Sequence, residues 1–153
     1  MTPIADLFDP RAVDATIARL QTLTPDRAPR WGKMNVGQML AHCRVACAMA
    51  LQDDFPRPNP VLRFFLRLVV KGFVTGQAPY RRNLRTAPVF LVSPEQDFVS
   101  ERDGLIADLR AVCARGRAHF EGRPSPNFGP LTAEQWNTML AKHLAHHLEQ
   151  FGA

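Results

Sequence analysis

The chain is poor in cysteine. Cys43, Cys47 and Cys113 are the only three, the number is odd, and no two are spaced as C-x-x-C. A disulfide framework is not expected. Cys43 and Cys47 lie one helical turn apart and read as small core residues. No run reaches the ~18 uninterrupted apolar residues of a transmembrane span, so no membrane passage is expected. The opening MTPIADLFDPRAVDA lacks a basic region followed by an apolar run. No signal peptide is read there, and the cytoplasm is the expected compartment. A Gly-rich phosphate loop, a G-x-S-x-G elbow and any cofactor fingerprint are also missing. The net charge is +5, but the basic residues are scattered and carry no zinc-finger or RNP-type signature. No nucleic-acid partner is expected.

What is present suits a single domain spanning residues 1–153, with 46% apolar and 22% charged residues. Asp9-Pro10 opens a first helix, with Asp as N-cap and Pro at the first helical position; it should end near Leu23. Asn35 is the expected N-cap of a second, whose apolar face is Val36, Met39, Leu40, Cys43, Cys47 and Ala50. Asn59-Pro60 opens PVLRFFLRLVVKGFV, apolar nearly all round except for Arg63, Arg67 and Lys71. Its basic stripe reads as a solvated edge, and helices apolar all round are normally buried. That leans toward contact with a second subunit, hence a homodimer.

Residues 75–92 read as a long connection, with a short extended piece at Val89 to Val92. Ser93 to Gln96 has the form of a capping box opening a helix that Gly116 stops. His119 is expected in the loop beyond, at the surface. Thr132 to Gln135 is a second capping box, and Trp136, Met139, Leu140, Leu144, Leu148 and Phe151 form the last stripe. The fold class expected is all-α, a four-helix bundle.

Three of the five histidines crowd into AKHLAHHLEQF near the end. At about 100° per residue, His143 and His147 lie roughly 20° either side of Trp136, inside the core-facing stripe. His146 falls at the margin, Gln150 beside the pair, and Glu149 on the opposite, solvated side. Two imidazoles one turn apart on a buried face each need a partner for a ring nitrogen. Protonating both would crowd two like charges. A divalent metal removes both difficulties, because the i, i+4 spacing delivers two nitrogens to one ion. The alternative is a pair of hydrogen-bonded histidines lining a metal-free pocket. His42 lies on the flank of the second helix's apolar face and is a candidate third ligand. Three histidines with open positions describe a catalytic metal site rather than a structural one. His146, Gln150, Gln38 and Trp31 are candidate second-layer or pocket residues, with Gln38 first of all a polar flank residue and Trp31 first of all core packing.

Trp31 to His42, WGKMNVGQMLAH, and Leu131 to Gly152, LTAEQWNTMLAKHLAHHLEQFG, together resemble the DinB-like (DinB/YfiT) superfamily, in a bacterial branch of mostly unknown function. The resemblance spans nearly the whole chain. It implies an up-down-down-up four-helix bundle, often dimeric, with a metal on His42, His143 and His147. The long loop between the second and third bundle helices would carry the extra short helix. Nickel and zinc are the metals it implies, and thiol-dependent S-transferases and isomerases using low-molecular-weight thiols are among the activities.

From the residues, a three-histidine metal suits either a thiol transferase or a hydrolase. The substrate expected is a small molecule, and Arg81, Arg82 and Arg85 are candidates to meet an anionic one. A non-catalytic module binding a small molecule or partner is the other reading. A fourth protein ligand, Cys43 or His146, would favour a structural metal.

Overall fold

A computed structural model describes residues 4–153. They are mainly helical. Helix α1 (Pro10–Gln21) is capped by Asp9, whose carboxylate accepts from Arg11 N–H. Helix α2 (Val36–Leu51) carries a complete capping box: Asn35 Oδ1 accepts from Gln38 N–H and Gln38 Oε1 from Asn35 N–H. Helix α5 (Phe98–Phe120) packs along α2 and also touches α1 and α6 (Ala133–Gln150). Helix α6 begins with the Thr132–Gln135 capping box read from the sequence.

The core lies between these four. Leu20, Met39, Leu40, Leu105, Val112, Trp136 and Leu148 are all buried within it. Cys43 and Cys47 are free and buried there, and burial pushes both thiols up, Cys47 to about 12. Gly104 would weaken a solvated helix, but in α5 it makes room. A Cβ there would come within 2.5 Å of the Arg44 guanidinium. Arg44 crosses from α2 at this spot to bind Glu101 and Asp108 on α5.

Three expectations are corrected. The long helix does not start at Ser93. The Ser93 hydroxyl accepts from Glu95 N–H in a local turn, and Asp97 is the N-cap, accepting from Ser100 N–H. At the other end Gly116, at φ +73°, breaks the regular backbone, but the chain regains a helical turn to Phe120, so exposed His119 lies on that turn. Val89 to Val92 is not an extended piece, because Pro88–Phe90 forms a 3₁₀ turn. A two-residue strand pair, β1 (Pro124–Ser125) with β2 (Gly129–Pro130), also joins α5 to α6.

The apolar third segment is α3 (Pro60–Phe65), a π turn (Leu66–Val70) and α4 (Lys71–Thr75). Only part of its basic stripe is a solvated edge. Lys71 Nζ donates to Pro130 O and the Arg63 and Arg67 guanidiniums lie near Gly129, so partly buried Arg63 and Lys71 turn toward the body while Arg67 stays exposed. A spacing of four drifts by about 40° per step on an α-helix, and the wider π turn takes out part of that drift. Leu66, Val70 and Val74 pack against the core, while Val61, Phe64, Phe65, Leu68 and Val69 are exposed. Among the described residues, no helix is long and apolar enough to cross a membrane.

Candidate metal centre

His42 comes from the middle of α2, His143 and His147 from the last two turns of α6. The structure brings the three together, with one ring nitrogen of each within 4.8 Å of the others. The closest approach is His42 Nε2 to His143 Nε2, at 2.9 Å. The His147 ring stands edge-on to both neighbours, with centroids 4.7 Å away. His42 and His147 are buried and His143 partly so.

The tautomers follow from the partners. His42 Nδ1 lies 3.0 Å from the Phe90 carbonyl, which can only accept, so this nitrogen carries the proton and Nε2 keeps its lone pair. His147 Nδ1 lies 2.7 Å from Gln150 Oε1. The Gln150 amide cannot be reversed, because its Nε2 donates to the Trp31 carbonyl at 2.7 Å. His147 therefore also holds its proton on Nδ1 and points a bare Nε2 inward. Two bare Nε2 lone pairs and the nitrogen of His143 meet at one point. A proton on His143 relieves the repulsion toward His42, and a cation relieves all three at once.

Electrostatics act in the same direction. Burial holds all three imidazoles below the usual histidine value: His42 moderately, His143 strongly, and His147 down to about 3. For His143 and His147 the neighbouring histidines add to the effect of burial. The three are therefore neutral near pH 7, as metal ligands must be. The donor set fits a divalent ion such as zinc or nickel, whose bonds to imidazole of ~2.0–2.1 Å place neighbouring nitrogens about 3 Å apart.

The remaining candidates fall into layers. Gln150 touches His147 directly. His146 is outside the group of three; its ring meets Trp31, Tyr80 and His147. Trp31 is not a core residue. It is partly exposed, with the Arg82 guanidinium 4.2 Å above its ring and His146 at its edge. Gln38 does not reach the histidines. Its Nε2 donates to Val92 O and ties the 88–92 segment to α2, which holds Phe90 in place over His42. Arg82 pairs with solvated Glu149, while Arg81 and Arg85 are exposed. Cys43 donates to Met39 Sδ and is no ligand. Among the described residues the cluster has three members and no fourth.

Sequence reasoning missed Tyr80, Phe90, Lys142 and Gly32. Tyr80, the chain's one tyrosine, walls the site against His143 and His146, and burial pushes its hydroxyl well above the usual phenol value. Phe90 packs on His42 and His143. Lys142 is buried on α6, where its Nζ donates to the carbonyls of Phe73 and Gly76 and lies 4.5 Å from the Tyr80 ring. It ends α4 as a cationic cap would and so sets the start of the segment that carries Tyr80. Gly32, at φ +82°, lets the Trp31 carbonyl approach Gln150, since a Cβ would fall 2.7 Å from Gln150 Nε2. In sequence, none of these four had a spacing that linked it to the histidines.

No curated protein and no solved structure shows significant similarity to the chain. The family model for the DinB superfamily matches residues 8–151. That match takes in α1 through α6 and all three converging histidines, and the chain belongs to the DinB superfamily.

Proposed function

We propose that His42, His143 and His147 hold one divalent ion, nickel or zinc, and that the protein is a small metal-dependent enzyme acting on a small molecule. The observation that carries this reading is the convergence of three ring nitrogens within 4.8 Å, two with their lone pairs fixed inward by Phe90 O and Gln150 Oε1. The frame is a four-helix bundle of α1, α2, α5 and α6, up-down-down-up, with α3 and α4 carried in the connection between α2 and α5.

A bound ion would supply Lewis acidity, enough to hold a low-molecular-weight thiol as thiolate or to activate water for hydrolysis. The chain's own residues do the rest. Three neutral ligands leave the ion's charge uncompensated, which favours an anionic fourth ligand. Tyr80, Phe90 and Trp31 give an apolar rim that limits water around it. Among the described residues no carboxylate joins the cluster to act as a base beside it. A thiol brings its own nucleophile and needs no such base, so thiol-dependent S-transfer is the reaction favoured over hydrolysis.

Cobalt(II) titration tests this. The metal-free protein should take up one equivalent with visible ligand-field bands, and a small thiol should add a sulfur-to-cobalt band in the near ultraviolet. Bands insensitive to thiols but changed by carboxylates would favour the hydrolase. No cobalt uptake would leave a non-catalytic module whose histidines line a pocket for a small molecule or partner.

A further inference from the structure

Away from the histidines, a cavity of about 180 Å³ opens between the segment that follows α2 and strand β1. Phe55, Pro124 and Pro126 form its apolar wall, and Asp53, Arg57 and Arg123 carry its charge. Arg123 touches Ala50, which lies eight residues beyond His42 on α2, about 12 Å along the helix. The cavity adjoins the first turn of α6, where the Trp136 indole donates to Arg123 O, while the histidines stand in the last two turns. The metal centre makes no use of it.

Arg123 is held in place by the fold. Its Nε donates to Ala50 O at 2.8 Å, its own carbonyl accepts from Trp136 Nε1–H at 3.1 Å, and its side chain is only 13% exposed. Capping α2 accounts for the Nε edge of the guanidinium. It does not account for the other end. There Nη2 meets the Asp53 carboxylate at 2.8 Å, but that side chain is 91% exposed, and an ion pair with so solvated a partner holds weakly. Asp53 thus marks a position that another carboxylate can take. Among the described residues, no hydrogen bond or ion pair engages the Arg57 guanidinium on the same cavity.

Charge decides the sign of the ligand. The carbonyls that end α2 would by themselves repel an anion. Each is covered by a guanidinium: Arg123 Nε on Ala50 O, and Arg115 Nη1 on Leu51 O at 2.7 Å. Among the described residues that line the cavity, Asp53 is the one acid against two arginines, so the cavity is net positive. A planar guanidinium fork matches a carboxylate. The apolar wall then favours an organic acid over an inorganic ion, because a carbon chain covers Phe55 and the prolines while a bare ion leaves them wet.

We infer that this cavity is a binding site for a small dicarboxylate, separate from the metal centre. One carboxylate displaces Asp53 from Arg123, the other meets Arg57, and the chain between them rests on Phe55 and Pro126.

The test is a titration of the full chain with succinate, followed by amide chemical shifts. Succinate should move the amides of residues 52–57 and 123–127 and leave those of His42, His143 and His147 in place. Asp53→Asn removes the competing carboxylate and should tighten succinate about 2–5-fold, which a merely structural Asp53 would not do. Arg57→Gln should weaken it about tenfold. Both side chains are exposed, so the helical circular dichroism should be unchanged. The inference is overturned if these amides stay still up to about 20 mM succinate. It is overturned equally if neutral succinamide or inorganic phosphate binds as well, or if Asp53→Asn binds no tighter than the wild type. Shifts confined to the three histidines would put the acid on the metal centre and overturn it too.

Discussion

Gln150 decides which nitrogen of His147 is free. Its Oε1 lies 2.7 Å from His147 Nδ1, while its Nε2 is committed to the Trp31 carbonyl from the far side of the chain. One amide thus connects the loop before α2 to the last turn of α6. Removing such an orienting partner typically costs 10–100-fold in metal affinity. Gln150→Ala should lower zinc or nickel affinity by about that factor while leaving the fold intact, as measured by competition with a chelating dye. An unchanged affinity would mean that His147 does not depend on the amide.

Gly32 acts through the same contact. Gly32→Ala must place a Cβ 2.7 Å from Gln150 Nε2, at a φ of +82° that alanine tolerates poorly. The cost should be about 1–3 kcal/mol by chemical denaturation. Metal affinity should fall as well, because the strain is relieved most readily by moving the Gln150 amide.

The pH response follows from burial. The three histidines have folded-state pKa values below the ~6.5 of the unfolded chain, His147 at about 3. At pH above 6.5 they are neutral in both states and contribute no pH dependence. Below it the unfolded chain binds protons that the folded chain refuses, so stability of the metal-free protein falls steadily as pH drops from about 6.5 toward 3. Denaturant midpoints measured across this range should show the decline. His147→Phe should reduce it, leaving the part due to His42 and His143, and ring-proton NMR of the metal-free protein should find His147 still neutral at pH 5.

Lys142 holds the wall of the site. Lys142→Met keeps most of the buried stem but removes the donor shared by Phe73 O and Gly76 O. The two carbonyls lose their partner at a cost of about 1–3 kcal/mol. Amide exchange should quicken over residues 71–80 and leave α2 and the first turns of α6 unchanged. A uniform change across the chain would show instead that Lys142 serves global stability alone.

The helices were legible because their ends are written in side chains. Asp9, Asn35, Asn59 and Thr132 all cap as their spacing implies. Ser93 misled because Ser-Pro-Glu-Gln satisfies a turn as well as a helix start, and Asp97, four residues on, offers the stronger acceptor. The histidine pair was legible from one helix's periodicity. His42 was not fixed that way, since its place depends on how α2 turns against α6. Tyr80, Phe90 and Lys142 were invisible for the same reason taken further: their contacts cross from a connection with no period of its own. Of the α3–α4 basic stripe, Arg67 lies exposed as the pattern implies, while Arg63 and Lys71 turn toward the body. Periodicity sorts side chains onto faces but does not say which face meets the body.

The central claim is that three histidines share one ion, and metal content tests it most directly. The protein, purified without a histidine tag and loaded with nickel or zinc, should carry one metal per chain by elemental analysis. His42→Ala, His143→Ala and His147→Ala should each lose it while keeping their helical signal. A wild type that takes up neither metal, or a metal that survives all three substitutions, would contradict the account.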